Sequence, residues 1–232
     1  GINPYTYCGN NPVMLVDPDG KKIRLTGPLD LQQMYVEQLQ ATVGGRRFLE
    51  LTLDYNGNVG YNPGRKFESG GAANYNMIAS IIDDDIITVN IELKEVEIFN
   101  EYSTIGGSFM GNTYDAETGK VDAKQIVDPV FMKAFDMSTG NYGAGALHEL
   151  TEAAAAANEA FELKQSILDS RQDEESYKKA HEKATPIPDV EHWLFDVNGK
   201  RTTNLFEAKK IEFYWKKDGI YNIIMRANFK KR

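Results

Sequence analysis

The chain has 232 residues, 41% of them hydrophobic and 11% aromatic, which is enough for one substantial core and too rich in rings for a disordered chain. Its formal net charge of −8 speaks against a nucleic-acid partner for the chain as a whole, because such a partner selects a basic face, but it leaves room for a local basic patch. The single cysteine, Cys8, excludes an internal disulfide framework and thiolate zinc sites, and no apolar run approaches the roughly 18–20 residues of a membrane helix, so no membrane partner is expected.

The opening Gly1-Ile2-Asn3-Pro4 is neither a secretory signal nor an initiator methionine, which points to a piece of a longer chain with any export signal upstream. Residues 3–12 are dense in turn formers. A short apolar strand, Val13-Met14-Leu15-Val16, follows and is closed by the turn Asp17-Pro18-Asp19-Gly20. Taken alone this is an edge hairpin. The pattern Tyr5-x-Tyr7-x-x-Asn10-Asn11-Pro12, four apolar residues, Asp17-Pro18-x-Gly20 nevertheless resembles the end of the Rhs repeat-associated core of YD-repeat polymorphic-toxin proteins. The resemblance covers residues 3–20. It implies a bacterial, secreted or cell-surface parent protein, with residues 1–20 a remnant of its shell and residues 21–232 the effector cargo. It also implies a target-cell substrate and a cognate immunity protein as partners. Asp17 and Asp19 match the end of the family's pattern, but no catalytic role is assigned to them.

The cargo is expected to be α+β. Lys21–Thr26 is a short strand. Leu29–Val43 is a helix with Leu31, Met34, Tyr35, Gln38 and Leu39 at helical spacing and Gly44-Gly45 as its stop. Phe48–Tyr61 is a hairpin turning at Asn56-Gly57. A helix over Ala72–Ile82 precedes a long strand over Ile86–Ile98. Weaker strands follow over Phe109–Tyr114 and Gln125–Val130. The longest helix runs from about Gly143 to Ser170, and a short one spans Tyr177–Ala184. The tail, Trp193–Phe229, alternates like two or three further strands.

All three histidines, His148, His181 and His192, fall within one 45-residue window. In His148-Glu149-Leu150-Thr151-Glu152, positions 148 and 152 share a helix face. This is the geometry of the zincin motif, in which residues at i and i+4 hold Zn²⁺ and the glutamate at i+1 acts on water. The second ligand there is histidine. A carboxylate at 152 is also a zinc ligand, but it would leave the metal a weaker Lewis acid. Glu159 lies about 16 Å along a straight helix from His148, too far to complete the site. The third ligand must come from a segment that folds back, and His181 suits this, with His192 as competitor. Gly140, Gly143 and Gly145, which precede His148, allow close approach, and the Gly107–Thr113 segment could lie beside the helix as a substrate-aligning strand.

The stretch Leu147-His148-Glu149-Leu150-Thr151-Glu152-Ala153, with Lys179-Ala180-His181-x-x-Ala184-Thr185, also resembles metallopeptidase toxin domains found as Rhs effectors. The resemblance covers about residues 147–185. It implies a zincin-like fold with a mixed or antiparallel sheet and a long active-site helix. It further implies zinc as cofactor, His148, Glu152 and His181 as its ligands, and Glu149 as general base.

Plainer explanations stand beside these. Glutamates favour a helix's first turn, and His181 could be a surface residue near a helix end. Asp83-Asp84-Asp85 is read as a solvated helix end, not a Ca²⁺ or Mg²⁺ site, and the C-terminal lysine pairs as solvated strand faces. Two other functions remain open: a metal-dependent nuclease, or a degenerate site on a binding tip.

Overall fold

A computed structural model describes residues 23–43, 49–63, 72–95, 106–169, 172–204 and 207–228. The remnant segment 1–20 and the far end of the expected Ile86–Ile98 strand therefore lie outside the described residues.

The fold is mixed α+β with two sheets. The first has six strands in the order β2-β3-β1-β4-β6-β5. Its centre is parallel: β1 (Ile23–Thr26), β4 (Ile87–Leu93) and β6 (Val121–Val127) run side by side. The hairpin β2 (Leu49–Leu53) and β3 (Asn58–Pro63) joins one flank, and β5 (Gly107–Tyr114) closes the other, antiparallel to β6. Period-2 burial explains the strands. Ile87, Val89, Ile91 and Leu93 are buried along β4, and Ile23 and Leu25 along β1. In the hairpin turn, Asp54 accepts from the N–H groups of Asn56 and Asn58.

Helix α4 (Ala144–Leu163) lies across β4, β5 and β6. Ala146, Ala153, Ala156, Ala157 and Ala160 are buried in it, so the alanine run lets the helix sit close to the sheet. Helix α1 (Leu29–Thr42) braces its start, where the Tyr35 hydroxyl donates to the Ala146 carbonyl at 3.0 Å, and Gln38 Nε2 of the same helix donates to the Pro129 carbonyl at 2.8 Å. Helix α2 (Ala72–Ile82) follows the hairpin.

One expected strand is corrected. The strand over Gln125–Val130 ends at Val127, and helix α3 (Pro129–Thr139) begins immediately after. Asp128 caps it, accepting from the N–H groups of Val130 and Phe131, with proline in the first turn. The long helix is shorter than expected, since Lys164 turns left-handed after Leu163. Helix α5 (Glu174–Lys183) starts earlier than expected, capped by Asp173. The tail forms four strands: β7 (Val190–Phe195), β8 (Arg201–Thr202), β9 (Lys210–Lys217) and β10 (Ile220–Asn228). They make an antiparallel sheet ordered β10-β9-β7-β8. A second core joins it to α3, where Phe131 and Phe135 meet Ile211 and Phe213, with the Phe131 and Phe213 rings edge-on at 5.3 Å.

The turn from α3 into α4 is tightly specified. Buried Asp136 accepts from Gly143 N–H at 2.7 Å and Gly145 N–H at 2.9 Å, and burial pushes its carboxyl up to about 6. Gly143 has φ 93°, and a Cβ there would run into the Gln38 carbonyl. Gly143→Ala is therefore expected to destabilise the protein by more than about 2 kcal/mol, combining left-handed strain with a backbone clash. Thermal unfolding would show it as a lowered midpoint.

Candidate metal centre

The second and third turns of α4 carry His148, Glu149 and Glu152, all buried. His148 and Glu152 share a face at i and i+4, with Nε2 and Oε2 3.7 Å apart. The chain then leaves α4, reverses, and returns as α5 packed against it. This places His181 Nδ1 2.7 Å from Glu152 Oε2 and 3.2 Å from His148 Nε2. One ligand atom from each of the three residues lies within 4.8 Å of the others, a cluster able to hold a metal ion. Ligands at about 2.1 Å in tetrahedral array stand about 3.4 Å apart, and the three separations scatter about that value.

The tertiary structure also orients the donors. His148 Nδ1 is 2.6 Å from the Thr185 carbonyl, so Nδ1–H donates outward and Nε2 is the ring nitrogen turned toward the cluster. Thr185 is held in turn by Thr151, whose Oγ1 accepts from Thr185 N–H at 3.0 Å. The segment after α5 thus fastens back onto the helix that carries the site. His181 is half-exposed, and its ring lies against Tyr177, with centroids 5.7 Å apart.

Gln125 on β6 reaches the site from the sheet. Its Nε2 donates to Glu149 Oε2 and, at 3.3 Å, to Glu152 Oε1. The two carboxylates are driven apart electrostatically. Burial, then the neighbouring charge of Glu152, pushes Glu149 up to about 8. Burial works against the Glu152 carboxylate too, but hydrogen bonds from His148 and His181 prevail and hold it below its usual range. His148 is raised: burial opposes its charge, yet the Glu152 hydrogen bond and Glu149 outweigh that. The Tyr177 hydroxyl is pushed up to about 12, by burial first and then by Glu152 and Glu149.

Strand β5 forms the site's other wall. Gly107 comes so close that a Cβ there would land on the Glu149 carboxylate. Further along the strand, Asn112 N–H donates to the Ile167 carbonyl at 2.9 Å and Tyr114 N–H to Ser166 Oγ at 3.0 Å, so that half of the edge is covered.

Other sequence candidates lie elsewhere. His192 is exposed on β7, its ring 6.4 Å from Phe213. Glu159 is buried with Lys179 Nζ at 3.8 Å. Asp84 caps a turn, accepting from Ile86 and Ile87 N–H, and Asp83 accepts from the Tyr61 hydroxyl. Sequence reasoning missed Gln125, Thr151, Tyr177 and Thr185. Only Gln125 left a signal, as a polar residue on the face of Val121, Ala123 and Val127. Comparison with protein-family models, curated proteins and solved structures gives no match, so the site is read from its own geometry.

Proposed function

We propose that the chain is the effector tip of an Rhs-type secreted protein, and that it hydrolyses peptide bonds using a zinc ion held by His148, Glu152 and His181. The observation that carries the activity is the convergence of His148 Nε2, Glu152 Oε2 and His181 Nδ1 beside a buried Glu149 at i+1. Two imidazoles and one carboxylate suit zinc better than magnesium or calcium, which favour all-oxygen sets. A zinc ion held by these three residues would supply a Lewis acid.

The remaining steps belong to the chain. Glu149 takes a proton from the attacking water and passes it to the leaving amine. Gln125 holds the Glu149 carboxylate in place, and the opposed shifts of Glu149 and Glu152 divide proton carrier from ligand. The Gly107–Met110 part of β5 runs past Glu149 and suits an extended peptide added as a further strand, the zincin-like arrangement. The Rhs identity, secretion, a target-cell protein substrate and an immunity partner rest on the resemblance of residues 3–20 and 147–185.

The test is elemental analysis of the purified chain after zinc is offered at neutral pH, followed by digestion of an unfolded protein with and without a chelator. About one zinc per chain and chelator-sensitive cleavage are expected. A metal-free chain would end the hydrolase reading and leave the Rhs-tip reading standing alone.

A further inference from the structure

The second sheet has a face that the metal centre does not use. Its inner side packs on α3 through Ile211 and Phe213. On the outer side, Trp193 of β7, Tyr214 of β9 and Tyr221 of β10 form a continuous group. Ring centroids are 4.3 Å apart for Trp193 and Tyr214, 4.9 Å for Trp193 and Tyr221, and 6.2 Å for Tyr214 and Tyr221. Two cations and one carboxylate flank the rings: the Arg201 guanidinium is 4.3 Å from the Trp193 centroid, Lys216 Nζ is 5.1 Å from that of Tyr221, and the Tyr221 hydroxyl donates to Glu191 at 3.1 Å. Beneath them Glu212, itself buried, accepts from the Tyr214 hydroxyl and pairs with Arg226 at 3.1 Å, which fixes both side chains.

Charge is segregated in the same way. Residues 190–228, which carry the second sheet, hold seven Lys and Arg against five Asp and Glu, while residues 1–189 hold sixteen against twenty-nine. The acidic body repels a polyanion, and the second sheet attracts one. An acidic protein surface would match the cations but offers nothing flat to stack on three rings. A duplex keeps its bases stacked inside. A single strand presents both phosphates and free base faces.

We infer that the outer face of the β7–β10 sheet binds single-stranded nucleic acid, with bases against Trp193, Tyr214 and Tyr221 and phosphates against Arg201 and Lys216. This surface stands independently of the zinc reading, so either can fail alone.

The test uses the full chain and a fluorescein-labelled oligothymidylate of about twelve nucleotides, followed by anisotropy across a salt series. Saturable binding that weakens with salt is expected, with displacement by unlabelled oligothymidylate and not by polyglutamate of equal charge. Trp193→Ala and Tyr221→Ala should each weaken binding by about tenfold or more. Arg201→Ala and Lys216→Ala should each reduce the log–log salt slope by about 0.7. Tyr221 and Arg201 are exposed, so their variants keep the test valid if Trp193→Ala fails to fold. Absence of saturable binding at low salt would overturn the inference. So would displacement by polyglutamate together with unchanged binding by Tyr221→Ala, which would mark a surface for acidic protein instead.

Discussion

Glu149→Gln is expected to lower peptide-bond hydrolysis by about 10²–10⁴-fold while leaving zinc bound. The substitution preserves volume in a buried position and still offers an oxygen to Gln125 Nε2, so the wall around the ligands stands. What it removes is the group that carries a proton. It also changes stability in a pH-dependent way. Glu149 in the folded protein is raised from an ordinary 4.5 to about 8, so between those values the folded chain binds more protons than the unfolded one. Its contribution to stability is therefore lost as pH rises from roughly 5 to 8. Metal-free wild type should lose unfolding midpoint across that window relative to Glu149→Gln. Equal rates of hydrolysis in the two proteins would remove Glu149 from the mechanism.

The side chains of this site that could ligate a metal were legible in the sequence, and the groups that orient them were not. His148 and Glu152 share a helix face by arithmetic alone. His181 could be put forward because a reversal was needed and few histidines were left to make it. The Thr185 carbonyl that orients His148 is a backbone group with no side-chain signature, brought near only because α5 returns to α4. The same division runs through the fold. Strand β4 and helix α1 announce themselves by clean periods of two and 3.6. Helix α3 was concealed because Val121, Ala123, Gln125 and Val127 alternate up to its cap, and Asp128-Pro129 reads equally well as a strand end or a helix start. The end of α4 was overshot because Lys164, not glycine, takes the left-handed conformation there. The ring cluster on the second sheet also depends on register: Glu191 opposite Tyr214 and Lys216 opposite Tyr221 set those side chains on one face, which cannot be known before the strands are paired.

His148→Ala and His181→Ala are both expected to weaken zinc binding, by at least roughly 10²–10³-fold, because structural zinc sites draw about 10–16 kcal/mol from four ligands and the loss of one forfeits a large share. The two losses should differ. His148 is buried and held by the Thr185 carbonyl before any ion arrives, so its Nε2 is already aimed at the cluster. His181 is half-exposed and is placed on α5 by ring contacts with Tyr177 and His148 and by Glu152 ahead of it, with no backbone carbonyl among the described residues orienting it. Removing His148 also strips Glu152 of one of its two histidine partners and leaves the Thr185 carbonyl without that donor, inside a pocket that already holds a second carboxylate. His148→Ala should therefore lose more zinc affinity than His181→Ala and also lower the unfolding midpoint of the metal-free chain, whereas His181→Ala should shift that midpoint little. Competition against a zinc-binding dye, paired with thermal unfolding of the metal-free variants, measures both. Unchanged zinc affinity in either variant would exclude that histidine as a ligand, and with it the three-residue centre.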